Sequence, residues 1–326
     1  MTHALGIDFG GTKILAGVVD TETGKVLSEG KKRTHAELGS EEVLSRLVEA
    51  AREALEGSGI AREAVTVAGI GVAGQVSKDG RALDRAPNLP EELQGNTIVN
   101  AMQEKLQLPA MLFNDVVAAA AGEAAFGAGR DQPDFVCIFV GTGIGGGVYR
   151  DGKPYRGATN TAGELGHMVV DRDGRVCSCG GLGHLEAYAS RTAIVRTILG
   201  ALRLGRSSIL AELAPNPDPE NPRGSDIRSK ALGRAVKSGD LVAIQAISDG
   251  ARTMAAGLVS IINFYNPPRI ILGGGLVQEV ELFFDLAASL AREEALEVPS
   301  TAVEIVKAVL GDDSGVVGAA VLATGQ

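Results

Sequence analysis

Short apolar segments that end near glycine alternate along the chain with longer amphipathic segments. ALGIDFG, ILAGVVD and GKVLSEGKK predict a three-strand meander, and VTVAGIGV and AMLFN predict two further strands. After Ser40, which we expect to act as its cap, apolar residues at 43, 44, 47, 48, 51 and 55 predict a helix with one buried face. Further helices are expected near residues 91–106 and from Asp115 onward.

The second half of the chain repeats this beginning. FVCIFVGTGIGGGVYRDGKPY predicts a strand, a glycine loop, a strand, an Asp-Gly turn and a strand, and PRIILGGGL and AVEIVKA predict two more strands. Helices are expected over about 239–265 and from near Asp313, whereas the proline-rich residues 215–224 predict a surface loop. Because both halves begin alike, the pattern favours an α/β protein of two similar domains with a cleft between them.

Composition and charge narrow the class of protein. The 326 residues, 45% hydrophobic and 22% charged, are typical of a soluble globular chain of about two domains. A net charge of −9 without a basic block argues against nucleic acid as a partner. We expect no signal peptide and no membrane span. The chain has only three cysteines (Cys137, Cys177, Cys179), and this small number favours a reducing cytoplasm over a disulfide framework.

Three glycine-rich segments follow predicted strands. DFGGTK lacks the P-loop spacing, and GTGIGGG, like GIGVAG at 69–74, matches G-x-G-x-x-G but precedes a hairpin instead of the helix that a dinucleotide fold needs. DFGGTK and GTGIGGG are either tight turns or phosphate loops, in which backbone N–H groups, Thr12, Lys13 and Thr142 would face an anion. Their occurrence once in each half favours phosphate binding. GGGL at 273–276 has no polar side chain and suits the surface of a nucleotide base or ribose.

Four residues that can bind metals fall close together: His167, Cys177, Cys179 and His184. Tetrahedral zinc accepts such a Cys₂His₂ set, although the Cys-x-Cys spacing differs from that of zinc fingers. Free structural cysteines are the alternative. A disulfide between Cys177 and Cys179 is disfavoured because it would close a small, strained ring.

Six segments, in the same order, resemble the ROK family of bacterial sugar kinases over nearly the whole chain. They are GIDFGGTK and GTGIGGG (phosphate loops), FNDVVAAAAGE (catalytic segment), AGELGHM (sugar motif), CSCGGLGHLE (zinc motif) and ILGGGL (adenosine loop). The chain departs from the family at His184, which stands where the zinc motif has its third cysteine. The resemblance implies two actin-like ATPase (ribonuclease H-like) domains: a small one of residues 1–116 with a C-terminal helix at about 311–326, and a large one of 117–310 that carries the zinc loop.

The resemblance also implies an activity, namely ATP-dependent phosphorylation of a hexose at its 6-hydroxyl, and ELGHM and GHLEAYAS favour glucose. Asp115 would accept the hydroxyl proton, although a helix N-cap is the alternative reading of this residue. Sugar contacts are implied for Gly74, Asn88, Asn114, Asp115, Glu164, His167 and Glu186. Nucleotide contacts are implied for Asp8, which would hold Mg²⁺, and for Gly10, Gly11, Thr12, Lys13, Gly141, Thr142, Gly143, Gly273, Gly274 and Gly275. A structural Zn²⁺ is implied for His167, Cys177, Cys179 and His184.

Several alternatives stay open at this point. Kinases for N-acetylglucosamine, N-acetylmannosamine, mannose and fructose share most of these motifs, and polyphosphate is an alternative donor. A non-catalytic sugar sensor on the same scaffold is the alternative of another class, but Asp115 and both phosphate loops argue against it. Family repressors carry an N-terminal DNA-binding domain, which we do not expect ahead of Asp8. Relatives lead us to expect a homodimer or homotetramer.

Overall fold

The computed structural model describes residues 3–222 and 225–325. The strands in these residues are β1 (His3–Phe9), β2 (Lys13–Asp20), β3 (Val26–Arg33), β4 (Val65–Val72), β5 (Gln75–Val76), β6 (Leu83–Arg85), β7 (Ala110–Asn114), β8 (Phe135–Val140), β9 (Ile144–Arg150), β10 (Lys153–Pro154), β11 (Arg269–Gly273) and β12 (Glu304–Lys307). The α-helices are α1 (Ser40–Gly57), α2 (Thr97–Leu106), α3 (Asp115–Phe126), α4 (Glu186–Ala189), α5 (Arg191–Arg203), α6 (Ser229–Lys237), α7 (Leu241–Tyr265), α8 (Gly275–Glu279), α9 (Glu281–Glu294), α10 (Glu297–Ala302) and α11 (Ser314–Thr324).

The first compact unit comprises Met1–Pro133, Gly147–Ala162 and Asp312–Gln326. Its five-stranded sheet has the order β3-β2-β1-β4-β7, in which the predicted meander β1-β2-β3 is antiparallel and β4 and β7 run parallel to β1. In the register, Phe9 lies opposite Val72 and Val72 lies opposite Asn114. The segments that follow β1, β4 and β7 therefore start from one edge of the sheet, the edge at which these three parallel strands have their carboxyl ends.

The C-terminal helix α11 packs on this sheet and on α3. Phe113, Ala118 and Ala319 form a small apolar cluster there. The backbones come so close that a Cβ at Gly318 would overlap the carbonyl oxygen of Ala118. This contact explains why the first unit extends beyond the predicted boundary at residue 116, since that boundary would cut α3 after its second residue and separate the rest of the helix from α11.

The second compact unit comprises Asp134–Gly146 and Gly163–Gly311. Its strands β8, β11 and β12 are parallel neighbours, and the full order of the second sheet is β10-β9-β8-β11-β12. The two sheets thus share one order of antiparallel and parallel strands, which confirms the predicted repeat. The long helix α7 confirms the helix expected over about 239–265, and its buried face is made largely of alanine, isoleucine and glycine.

Three local predictions need comment. Ser40 does not cap α1, because Gly39 occupies the N-cap position with no side-chain hydrogen bond. The single helix expected near 91–106 is wrong, since a short 3₁₀ turn at Glu91–Leu93 precedes α2 and Gly95 between them has a φ of 72°. Residues 215–222 contain no strand or α-helix, as predicted for a loop, and residues 223–224 of that segment lie outside the described part.

Among the described residues, no helix combines the length and the apolar character that crossing a membrane requires.

Candidate functional site

Asn114 is the last residue of β7 and the N-cap of α3. Its Oδ1 accepts hydrogen bonds from the backbone N–H groups of Val116 and Val117 at 3.0 and 3.1 Å. Its Nδ2 donates to the carbonyl of Gly74 at 3.2 Å and to Oδ1 of Asp115 at 3.1 Å. The N-cap reading of Asp115 is therefore wrong: this carboxylate belongs to the first helical residue, next to the cap.

The first glycine loop joins β1 to β2. The N–H of Gly10 donates to the carbonyl of Lys13 at 3.0 Å, which closes a tight turn. Thr34 holds the loop from outside, because its N–H donates to the carbonyl of Thr12 at 3.0 Å and its hydroxyl donates to the carbonyl of Gly10 at 2.6 Å. Two loop carbonyls thus accept hydrogen bonds from Thr34, which constrain the conformation of the loop.

Asn88 lies against this loop. A Cβ at Gly11 would lie 2.8 Å from the Cβ of Asn88, so only glycine fits beneath that side chain. On the neighbouring strand, a Cβ at Gly71 would lie 3.5 Å from the Cα of Asp115. The first unit therefore gathers the first glycine loop, Asn88, Gly74, Asn114 and Asp115 at one sheet edge.

Asp8 lies next to the last residue of β1, close to the start of α11. Burial raises the pKa of Asp8 from 3.8 to about 6, while the Lys13 ammonium opposes the rise and the Asp312 carboxylate adds to it. Gly315 at the start of α11 leaves room for Asp8, since a Cβ there would lie 3.2 Å from Cγ of Asp8. Lys13 Nζ lies 3.2 Å from Asp312 Oδ2. A divalent cation would offset the cost of an ionised Asp8 in this enclosed position.

The second glycine loop joins β8 to β9 and rests on the start of α5. The carbonyl of Gly141 accepts a hydrogen bond from the N–H of Arg191 at 2.9 Å, and the carbonyl of Thr142 accepts one from the Thr192 hydroxyl at 2.7 Å. The Arg191 guanidinium donates to Oγ1 of Thr142 at 2.7 Å. Inside the loop, the N–H of Gly141 donates to the carbonyl of Gly143 at 2.9 Å.

The third glycine segment lies beside the second in the same unit. Gly273 is the last residue of β11 and pairs with Phe139 of β8. Gly274 packs on the backbone of Val140, where a Cβ would lie 2.5 Å from the carbonyl oxygen. Gly275 then begins α8. The parallel pairing of β8 and β11 therefore brings together two segments about 130 residues apart in sequence, as their predicted shared role in nucleotide binding requires.

The four predicted metal ligands form a cluster in the second unit, with one ligand atom from each within 4.8 Å of the others. Nδ1 of His167 lies 3.3 Å from Nδ1 of His184 and 3.8 Å from Sγ of Cys177, and Nδ1 of His184 lies 3.3 Å from Sγ of Cys179. Zinc bonds of about 2.0–2.3 Å in a tetrahedron separate ligand atoms by about 3.3–3.8 Å. The residues therefore fit a Cys₂His₂ metal site, including His184.

The Cys177 thiol is buried, and burial raises its pKa. The backbone N–H of Cys179 opposes this rise, whereas the Cys179 thiol and the Glu186 carboxylate add to it. A bound divalent cation would reverse this preference and hold Cys177 as a thiolate. On the other side of its ring, Nε2 of His167 lies 3.9 Å from Oε2 of Glu164. His167 thus directs one nitrogen to the cluster and the other toward a predicted sugar contact.

Glu186 connects the second glycine loop with the loop of residues 167–184 that carries the four predicted metal ligands, called the metal loop below. Its Oε1 accepts a hydrogen bond from the Ser178 hydroxyl at 2.9 Å, and its Oε2 accepts one from the N–H of Ile144 at 2.8 Å. A Cβ at Gly143 would overlap Oε2. The carboxylate predicted to meet the sugar is therefore held by both loops.

Tyr188 stabilises the metal loop through contacts with Asp171 and Arg175. Its hydroxyl donates to Oδ2 of Asp171 at 3.0 Å and accepts from the N–H of Arg175 at 2.6 Å, and the Arg175 guanidinium carbon lies 4.9 Å from the ring centroid. The sequence analysis did not identify Tyr188, Thr34, Asp312 or Arg191. Each of these residues contacts residues distant in sequence, which a local pattern does not reveal. The one local signal pointed to Arg191: the sequence Ser-Arg-Thr at the start of a helix directly after the metal motif.

Comparison with known proteins places this geometry in one family. The profile described as ROK family matches residues 4–326. The glucokinase of Streptomyces coelicolor is 35% identical over 324 residues, which cover 99% of this chain and 98% of that protein. The glucokinase of Thermotoga maritima is 32% identical over 320 residues, which cover 97% and 95%.

A crystal structure of a ROK family glucokinase from Streptomyces griseus, in complex with glucose and AMPPNP, superposes with a TM-score of 0.84. It is 34% identical in sequence and covers 99% of this chain and 100% of that one. The likeness confirms the predicted α/β fold of the actin-like ATPase type with two domains. The protein is thus a member of the ROK family.

Proposed function

We propose that this protein is an ATP-dependent hexokinase that transfers the γ-phosphate to the 6-hydroxyl of glucose. The observation that carries the proposal is the position of Asp115, in the first turn of α3 with the capping role taken by Asn114. Asp115 lies at the same sheet edge as the first glycine loop. The glucokinases that this chain resembles over nearly its full length support glucose as the acceptor.

In this proposal, Asp115 accepts the proton of the 6-hydroxyl while that oxygen attacks the γ-phosphorus. Phosphoryl transfer depends mainly on positioning and on neutralising charge, so a strong base is not needed. The positive end of the α3 dipole favours the ionised carboxylate. The Asn114 amide, which donates to Asp115 at 3.1 Å, orients that carboxylate.

The first loop would receive phosphate oxygens through its backbone N–H groups, the Thr12 hydroxyl and Lys13. The Lys13–Asp312 pair is solvent-exposed on the Asp312 side, so it contributes little free energy and can be exchanged for a phosphate contact. Asp8 would hold Mg²⁺, whose charge neutralises the phosphates when the nucleotide is bound. The second and third glycine segments would hold the remaining phosphate and the adenosine.

Sugar recognition is proposed for Gly74, Asn88, Asn114, Glu164, His167 and Glu186. Carboxylates and amides suit this task because each can bond to two neighbouring hydroxyl groups. In the structure, Glu186 accepts a hydrogen bond from Ser178 of the metal loop, and His167 lies beside Cys177 within that loop. The loop therefore controls two of the proposed sugar contacts at once.

We propose a structural Zn²⁺ at His167, Cys177, Cys179 and His184. The four protein ligands complete a tetrahedral set, so the metal would have no open position for chemistry. Its role would be to fix the loop of residues 167–184 and, through it, the orientation of His167 and Glu186.

An assay of hexose phosphate formation over a panel of hexoses tests the function, with ATP and polyphosphate compared as donors. We expect the highest kcat/KM with glucose and ATP, above N-acetylglucosamine, N-acetylmannosamine, mannose and fructose. A preference for another sugar would reassign the acceptor. Sugar binding without turnover for any sugar or donor would favour the sensor alternative. Sedimentation of the same preparation would test the expected homodimer or homotetramer.

A further inference from the structure

The two proposed phosphate loops differ in charge along the sequence. The first, DFGGTK, contains Lys13, whereas the second, GTGIGGG, contains no basic residue. The structure supplies a cation to the second loop from a helix that begins 50 residues later, because the Arg191 guanidinium lies 2.7 Å from Oγ1 of Thr142. The partial burial of this contact strengthens it relative to a solvent-exposed one.

This contact also determines what the Thr142 hydroxyl can do. A guanidinium has only donors, so Oγ1 of Thr142 must accept the hydrogen bond. The hydroxyl hydrogen of Thr142 must then donate to another acceptor. A Cβ on the adjacent Gly141 would meet no atom within 4 Å, so the loop surface there has room for a ligand.

Three further contacts keep Arg191 in register with the loop. Its own N–H donates to the carbonyl of Gly141, the Thr192 hydroxyl donates to the carbonyl of Thr142, and Ser190 caps α5. The carboxylate of Glu186 accepts a hydrogen bond from the N–H of Ile144 at the opposite end of the loop. The basic group and the acidic group therefore lie at different ends of the same glycine loop.

We propose that Arg191 is a phosphate-binding residue for the nucleotide: it provides positive charge at the second loop and orients the Thr142 hydroxyl as a donor to a phosphate oxygen. Arginine suits this position because its planar guanidinium can bond to an oxygen of the protein and to a phosphate together. The inference rests on the proposed kinase function and adds to it a residue outside the glycine loops.

Four variants test this assignment: Arg191→Ala, Arg191→Lys, Arg191→Gln and, as a matched control, Arg203→Ala at the exposed last turn of the same helix. Steady-state kinetics would give the KM for ATP and for glucose separately, and calorimetry would give the Kd for AMPPNP. A charge-assisted hydrogen bond to phosphate predicts a rise of about tenfold or more in KM(ATP) and in Kd for Arg191→Ala. The KM for glucose should change less than about twofold, and Arg203→Ala should match the wild type.

The conservative variants separate phosphate binding from mere loop support. Arg191→Gln keeps a neutral amide donor on a shorter side chain, so we expect it to bind AMPPNP as weakly as Arg191→Ala. Arg191→Lys keeps the charge and most of the length, so it should regain part of the affinity. Wild-type affinity in the Gln variant, or in the Ala variant, would overturn the proposal. If the wild type bound AMPPNP but phosphorylated no hexose, the proposed function would fail, while the calorimetric comparison would still decide the role of Arg191.

Discussion

Replacing Asp115 by asparagine isolates the chemistry of one carboxylate from its structural surroundings. The change removes the charge and the ability to accept a proton but leaves the size of the side chain nearly unaltered. Because Asn114 makes both N-cap hydrogen bonds to Val116 and Val117, the cap of α3 persists in the variant. The contact between Asn114 and residue 115 can also persist, through the new amide oxygen.

The expected loss of turnover follows from the proposed role. General acid–base help contributes about 10²–10⁴ in rate, so kcat should fall by that factor, which corresponds to about 3–5 kcal/mol in the activation free energy. The KM for ATP should stay within a few-fold of the wild type, since the phosphate loops are untouched. A coupled ADP-release assay at saturating glucose measures both parameters.

The expected loss of stability is much smaller. Removing a carboxylate from the first turn of a helix costs about 0.3–1 kcal/mol, whereas loss of an N-cap costs about 0.5–2 kcal/mol. Only the first term applies to Asp115→Asn. Glu41→Gln, in the first turn of α1 and exposed, is the matched control for that term. Both variants should melt within about 4 °C of the wild type.

Two results would refute this reasoning. A variant with near-normal kcat would show that Asp115 is not the base. A fall in kcat accompanied by a drop in melting temperature much larger than that of Glu41→Gln would show that the carboxylate supports α3 and that the loss of activity is structural.

Three further predictions address the rest of the structure. The raised pKa of Asp8 means that the native state binds this proton more tightly than the unfolded state. The free energy of unfolding should therefore fall by about 2 kcal/mol between pH 4 and pH 7 relative to Asp8→Asn, measured by urea titration without Mg²⁺. Parallel pH dependence in the two proteins would contradict this. Purified protein should contain about one zinc per chain. Cys177→Ser should lose the zinc and lower kcat/KM for glucose about tenfold or more, whereas Cys137→Ala, outside the cluster, should keep the zinc. Metal analysis that finds no zinc in the wild type would reject the site. Gly318→Ala should lower the unfolding free energy by about 1–3 kcal/mol because the new Cβ overlaps Ala118. Gly200→Ala in α5 should not, because its new Cβ would lie 4.0 Å from Cγ of Pro219, an ordinary contact distance. Equal stability of the two variants would show that α11 and α3 are not in such close contact.

Local patterns predicted most of what lies close together in sequence. The change from strand to helix at Asn114 is visible because the apolar run AMLFN ends in a polar pair followed by an alanine-rich segment. The same pattern left a helix cap at Asp115 open as the alternative to a catalytic role, and the cap is Asn114, since either side chain can cap and only the backbone conformation decides. At α1 the cap prediction was wrong because Gly39, with a φ of 90°, ends the preceding turn.

Contacts between distant segments were not predictable without the family resemblance. His184 lies close enough in sequence to Cys179 for their clustering to be expected, but its Nδ1 also lies near His167, 17 residues earlier. The hydrogen bond between Arg191 and Thr142 spans 49 residues, and the ion pair between Lys13 and Asp312 spans 299. Such pairs depend on the order of strands in the sheets and on the packing of the C-terminal helix, which no local pattern specifies.

The identity of the reaction product tests the central claim most directly. Purified protein would be incubated with glucose, ATP and Mg²⁺, and the mixture followed by ³¹P NMR with proton coupling. The account predicts loss of the γ-phosphate signal and growth of a phosphate monoester coupled to the two protons on carbon 6 of glucose. Release of inorganic phosphate alone, an ester on another carbon, or unchanged ATP would contradict it.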